Sequence, residues 1–318
     1  MQRRLDPAIG AALAGVARLP PPLPVPAPDD LVGQRRALDR LLAPSGPPPA
    51  DGLAVTDRLV PGPTGAPAVP VRCYRRVGSA PRALVVYAHG GGMFAGSLDT
   101  HDLLCRRYTR EADLLLVSVG YRLAPEHPYP AQVEDVCAAV VAAAARRGTL
   151  GARPGPTAVA GDSAGGGIAA GAALLLRDRG GPPLTLQLLL SPMLDDRTTA
   201  RPGLDGLLTW TPAMNARGWA ALLPGRAGGP DVPAYAAPAR AADLSGLPPA
   251  YLEVGDADLF LGETLAYAAR LAAAGVPLEL HVHRGVPHGG EGLAPQAAVS
   301  RRIFADRIRV LRALTAEP

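Results

Sequence analysis

Ser163 stands in the run TAVAGDSAGGG, where Gly161-Asp162-Ser163-Ala164-Gly165 separates an apolar stretch from an Ala-rich one. A G-x-S-x-G pattern alone is weak evidence in a chain with 37 glycines. Its place between a strand and a helix is the informative part. Small residues two before and two after the serine leave room for a strained turn that lifts the hydroxyl out of a sheet. The helix that begins at Ala164 points its first N–H groups at the same spot. A serine hydroxyl needs a base to attack a carbonyl. Of the six histidines, His89, His101 and His127 lie in early connections. His281 and His283 alternate with Leu280 and Val282, which puts them on the polar side of a strand. His288, in RGVPHGGEG, follows the last strand, at the edge where open parallel sheets bind ligands. The base in turn needs a carboxylate to fix its tautomer. LEVGDADLFLGET supplies Asp256 and Asp258, with Glu253 inside the strand, and spacing does not separate the two aspartates.

The segment YAHGGGMFAG adds a second feature. Glycine loses more backbone freedom on folding than any other residue, yet Gly90, Gly91 and Gly92 stand together after an apolar run. A tight turn needs one or two glycines. Three suit a backbone that must approach a reacting oxygen with no side chain in the way. The N–H groups of Gly91, Gly92 and Ala164 are therefore the expected oxyanion donors, with Gly90 as the turn that aims them. His89 then orders this backbone and is not the base. Met93 and Phe94 follow the glycines and are expected to line the substrate pocket. Trp210 and Met214 are the later pocket candidates. With Met193, Leu194, Leu207, Leu208 and Trp219 they equally suit a small core of their own. Glu126, in APEHPYPA, reads as a structural ion pair near the site more than as an extra acid.

Several elements must position these groups. Apolar runs at 83–88, 114–119, 157–160, 185–190, 250–254 and 278–283 read as strands. Helical patterns fill 99–112, 131–147, 164–179 and 262–274, and one closes the chain at 296–314. Near-continuous apolar strands alternating with helices predict an α/β fold, a mostly parallel sheet covered on both faces. A hairpin over 53–60 and 69–76 precedes it, with PGPTGAP as its loop. Two amphipathic helices open the chain. The first, 7–19, is capped at Asp6 and spaces Ile9, Leu13, Val16 and Leu19 on one face. The second, 30–42, is capped by Asp29 or Asp30 and is expected to bury Leu31, Leu38, Leu41 and Leu42. Residues 192–248 break the alternation and are too long for a plain connection, so they should carry helices of their own over the sheet. The division expected is an N-terminal helical cap segment 1–45, a core of 46–191 and 226–318, and a cap insertion 192–225.

Composition narrows the function class. The chain has 318 residues, a formal net charge of +4 and no lysine. Its arginines are scattered in pairs with no basic block among aromatics, which excludes a nucleic-acid partner and suits a coding bias. Cys73, Cys105 and Cys137 are far apart and form no metal spacing, so they read as buried free thiols of a reducing compartment. No apolar run reaches the ~18 residues of a membrane span. The amphipathic first helix differs from a uniform signal sequence. These readings place a metal-free, cofactor-free protein in the cytoplasm, as a monomer or homodimer acting on a small molecule.

The chain resembles the hormone-sensitive-lipase-like branch of the α/β-hydrolase esterases. The matching pieces are HGGG (89–92), LDTHD (98–102), YRLAPEHPYPA (121–131), GDSAGG (161–166), DLSGLPPAYLEVGDADLF (243–260) and AGVPLELHVHRGVPHG (274–289), in family order. The resemblance implies a carboxylic ester hydrolase with a Ser163, Asp258, His288 triad and a cap built from the N-terminus and the insertion. It favours Asp258 over Asp256, because the family's acid sits just before the Leu-Phe pair. Short- to medium-chain acyl esters are the substrate class expected. Amide or lactone hydrolysis on the same triad is the alternative, and a non-catalytic receptor of this fold a remoter one. The chain departs from the family at Gly120, usually acidic, at Gly167, usually Asn, and at Gly290, often Phe.

Overall fold

The computed structural model describes residues 5–18, 27, 30–42, 46, 51–200, 203–204, 207 and 209–316. Leu19, Asp29 and Leu208, named above, lie outside the described residues. Eight strands form one sheet: β1 (Leu53–Val60), β2 (Val69–Arg76), β3 (Leu84–Ala88), β4 (Leu115–Val119), β5 (Thr157–Asp162), β6 (Leu186–Leu190), β7 (Ala250–Gly255) and β8 (Leu278–His283). Their spatial order is β1-β2-β4-β3-β5-β6-β7-β8. The first hairpin is antiparallel, β2 joins β4 antiparallel, and every pair from β4 to β8 is parallel.

The central strands are buried on both faces, which explains their unbroken apolar runs. Side chains still alternate between faces, as the pleat requires. Leu84, Val86 and Ala88 of β3 join the core under α4 (Ala131–Ala145), α5 (Ala164–Asp178) and α7 (Leu261–Ala273). Val85 and Tyr87 join the opposite core under α3 (Asp102–Ala112) and α9 (Ala298–Ala313). The expected start of α3 at residue 99 is wrong by three residues. Ser97 and Thr100 trade side-chain and backbone hydrogen bonds in a turn of their own and hold the chain out of the helix.

α1 (Pro7–Arg18) begins as expected, with Asp6 Oδ1 accepting from the Ala8 and Ile9 amides. Ile9 is fully buried and Leu13 packs beside it, but Val16 is exposed. Ile9 sits with Val286, Ala297, Val299 and Ile303 in a small third core. α2 (Leu31–Leu42) starts at Asp30, which caps the Gly33 amide at 2.7 Å. It departs from the sequence expectation further along. Leu31 and Leu38 are only half-buried, and Leu41 and Leu42 are exposed. The face turned inward carries Arg35 and Asp39 beside Leu31 and Leu38, so polar contacts share in holding this helix. Among its described residues, the long connection after β6 holds one helix, α6 (Pro212–Leu222), and a short 3-10 turn, Pro238–Arg240. Met193, Leu194 and Trp219 from it pack into the main core. Cys73, Cys105 and Cys137 are buried free thiols. Among the described residues no helix is long and apolar enough to cross a membrane.

A fully buried Ile loses about 2–5 kcal/mol on truncation to Ala. Ile9→Ala should therefore lower unfolding stability in urea by an amount in that range. A change under about 0.5 kcal/mol would show that α1 does not contribute to the fold.

Candidate active site

Four loops converge at the C-terminal ends of neighbouring parallel strands. Ser163 follows β5, the glycine turn 90–96 follows β3, Asp258 follows β7 and His288 follows β8. β3 and β5 lie side by side, with Ala88 opposite Gly161.

Ser163 has φ 55° and ψ −122°, a backbone that L residues rarely adopt. Its neighbours show why glycine flanks it. A Cβ on Gly161 would lie 2.2 Å from the Gly165 carbonyl oxygen. A Cβ on Gly165 would lie 2.1 Å from the Ala88 oxygen and 2.5 Å from that of His89. The elbow is pressed against the start of the glycine turn, and side chains would push the two apart. Gly167, where the resembled family has Asn, is explained in the same way: its Cβ would sit 2.0 Å from the Met193 oxygen.

His288 Nε2 lies 2.8 Å from Ser163 Oγ, and His288 Nδ1 lies 2.8 Å from Asp258 Oδ2. The carboxylate only accepts, so Nδ1 carries the proton and Nε2 is left to receive one from Ser163. Asp258 is fully buried, and its other oxygen accepts from the Phe260 amide at 2.9 Å. Phe260 also meets the imidazole edge-on, ring centroids 5.0 Å apart. Asp256 plays a different part: its Oδ1 accepts from the Gly285 amide at 2.6 Å and ties down the turn after β8. Burial opposes a charge on His288, but the charge and hydrogen bond of Asp258, helped by Glu291 and Asp162, outweigh it and raise the imidazole pKa.

The glycine turn is held from within. Gly91 has φ 126° and Gly92 φ 61°, and the Gly91 carbonyl accepts from the Phe94 and Ala95 amides at 3.2 and 2.9 Å. Asp162, the variable residue of the serine motif, proves to be the link between the two loops. Its Oδ1 accepts from Tyr87 Oη at 2.6 Å and the Gly90 amide at 3.0 Å, and His101 Nε2 stands 3.3 Å from Oδ2. Desolvation works against this carboxylate's charge, yet His101 and the Tyr87 hydroxyl outweigh it and hold its pKa well below the ordinary range. His89 is stacked on Tyr121 with centroids 4.2 Å apart, and its Nδ1 lies 2.8 Å from the Gly90 oxygen. Burial, then the nearby His101, push its pKa down to about 3, so it is a neutral donor and not a base. Sequence reasoning missed Asp162, Tyr87, His101 and Tyr121 as parts of this site. The signal available was their place inside or beside the quoted motifs.

Of the pocket candidates, Trp210 stands beside both His288 and the glycine turn. Its ring lies 6.3 Å from those of His288 and Phe94, and a Cβ on Gly92 would be 2.3 Å from its edge. Met93 and Phe94 are buried, and a Cβ on Gly92 would also lie 3.0 Å from the Phe94 ring. Met214 packs half-buried from the first turn of α6. Glu126 pairs with Arg35, as the structural reading of that residue expects.

Residues 85–291 match a family model described as alpha/beta hydrolase fold. Esterase LipI of Mycobacterium tuberculosis is 43% identical over 268 residues, 80% of this chain and 82% of its own length. Carboxylic ester hydrolase LipN of the same organism is 41% identical over 278 residues, 82% of this chain and 70% of its own. Among solved structures, a bacterial heroin esterase superposes with a TM-score of 0.88 at 35% identity, covering 98% of both chains.

The raised pKa of His288 has a sign that can be measured. The imidazole should stay protonated to a pH above the ordinary ~6.5 of histidine in an NMR titration. Asp258→Asn removes the largest favourable charge and should move that midpoint down. An unmoved midpoint would mean that Asp258 does not set the charge of His288.

Proposed function

Because the chain belongs to the alpha/beta hydrolase fold family and is a carboxylic ester hydrolase, we propose that Ser163, His288 and Asp258 carry its chemistry through an acyl-enzyme. The observation that supports this most is the unbroken line Ser163 Oγ, His288, Asp258, at 2.8 Å per step. Ser163 Oγ attacks the ester carbonyl while His288 Nε2 takes its proton. The carbonyl pair moves onto oxygen, where the Gly91, Gly92 and Ala164 amides receive it. His288 then gives its proton to the leaving alcohol. Water repeats the sequence on the acyl-enzyme and releases the acid. Asp258 keeps the imidazole oriented and stabilises its charged form.

The substrates proposed are esters of short- to medium-chain acids. Trp210 beside Gly92 and His288, with the Phe94 ring next to it, supports an apolar wall at the acyl side. The N-terminal helices and residues 192–225 are proposed to act as one cap over the core 46–191 and 226–318. We place the enzyme in the cytoplasm, a setting in which its three buried free thiols stay reduced.

Turnover of p-nitrophenyl acyl esters of increasing chain length, against matched anilides and lactones, tests the substrate class. The rate should peak among the shorter esters, and a preference for anilides or lactones would contradict the proposal. Ser163→Ala should lower ester turnover by about 10⁴-fold or more while the fold persists. Asp258→Asn should cost about 10⁴-fold and Asp256→Asn far less. The reverse ranking would assign the acid to Asp256.

A further inference from the structure

The glycine turn is also gripped from outside, by α2. Arg35 Nε donates to the Phe94 carbonyl at 2.5 Å, and its Nη2 donates to the Ala124 carbonyl at 2.9 Å. The same guanidinium pairs with Glu126 at 3.0 and 2.6 Å, so its charge is met where it lies. One turn further along, Asp39 Oδ1 accepts from the Gly96 amide at 2.7 Å. Phe94 and Gly96 form the outer end of the turn whose inner end is fixed by Asp162. Through the Phe94 and Ala95 amides, that outer end is bonded to the Gly91 carbonyl. α2 has no fully buried residue. Its seat depends on these polar contacts and on the half-buried Leu31 and Leu38. The helix and the turn therefore hold each other.

We infer that Arg35 and Asp39 are positioning residues for ester hydrolysis. They set the outer end of the turn and, with it, the direction of the Gly91 and Gly92 amides. The inference rests on the reading of those amides as oxyanion donors. Donors to a developing oxyanion act in the transition state more than in substrate binding. Loss of the grip should therefore appear in kcat. The Arg35 fork reaches two carbonyls and a carboxylate at once, which the single ammonium of Lys does not reproduce.

The test uses the full chain with Arg35→Ala, Arg35→Lys, Asp39→Ala, Asp39→Asn and Ser163→Ala. Two quantities are read: kcat and KM on p-nitrophenyl butyrate, and inhibition by an alkyl trifluoromethyl ketone. The ketone takes Ser163 Oγ onto its carbonyl carbon, the proton passes to His288, and the new oxyanion needs the same donors as the reaction. Arg35→Ala and Asp39→Ala should lower kcat by about 10- to 100-fold, with KM within about threefold of the parent. The ketone's Ki should weaken in step with kcat. Arg35→Lys should behave like Arg35→Ala. Asp39→Asn keeps an oxygen for the Gly96 amide and should retain most activity. Asp39→Ala leaves the Arg35–Glu126 pair in place and carries the test if Arg35→Ala does not fold. Unchanged kcat and Ki in both alanine variants, or a rise in KM alone, would overturn the inference and leave α2 a plain cover. Ser163→Ala separates the two levels. If it retains turnover, the reading of the site fails. If it alone loses turnover, only the grip of α2 fails.

Discussion

The left-handed backbone at Ser163 is the constraint on which the site is built. Such a conformation costs about 1–3 kcal/mol and persists only where its surroundings fix it. Here the Ser163 amide donates to Leu190, and its carbonyl accepts from Met193 and Gly167. The parallel pairing of β5 with β3 and β6 fixes the approach. Gly161 and Gly165 let the elbow close onto the carbonyls of Ala88 and His89. That closeness puts the serine hydroxyl, the first amides of α5 and the glycine turn in one small volume. Asp162 then fastens the two loops with one carboxylate. Even a partly buried carboxylate is costly unless hydrogen-bonded, and the Tyr87 hydroxyl and the Gly90 amide meet that need, with His101 beside the second oxygen.

His288, the proposed base, arrives on a longer and less regular loop, so more elements hold it. Asp6 of the chain entering α1 donates its amide to the Gly285 carbonyl at 2.8 Å, and Ile9 fills the space beside Val286. The Thr209 hydroxyl donates to the His288 carbonyl. Just beyond His288, Glu291 pairs with Arg307 of α9, which also binds Glu253 inside β7. Breaking a buried pair of this kind by removing one partner typically costs about 3–5 kcal/mol. The polar layer under α9 also accounts for His281 and His283. They face this layer, beside Glu279, Asp306 and Glu253, and take no place near Ser163. The serine side of the site is thus set by close backbone packing and the Asp162 carboxylate, and the His288 side by contacts from α1, Thr209 and α9.

Much of this was legible in the residues. The strands could be read because central parallel strands are apolar on both faces. The elbow and the glycine turn could be read because few residues other than glycine tolerate such close backbone contacts. The choice between Asp256 and Asp258 could not be made from spacing, since both follow β7. The structure separates them by direction, one carboxylate toward His288 and the other toward the Gly285 amide. Arg35 and Asp39 were silent in the sequence, because charges on an amphipathic helix look like a solvated face. The contacts that reach the glycine turn lie 59 and 57 residues away and are to main-chain atoms, which carry no side-chain signature. Leu41 and Leu42 misled as well: apolar spacing alone does not show that α2 turns Arg35 and Asp39 inward beside Leu31 and Leu38 and leaves Leu41 and Leu42 exposed.

The central claim is that Ser163 is a nucleophile activated by the neighbouring His288. Intact-mass and peptide analysis after reaction with an alkyl p-nitrophenyl phosphonate addresses it most directly, since the serine oxygen displaces p-nitrophenolate from phosphorus and keeps the phosphonyl group. The account predicts one phosphonyl group per chain, carried on the Ser163 peptide, with activity lost in proportion to labelling. A label that settles on another residue, or full ester turnover in chains labelled at Ser163, would contradict it.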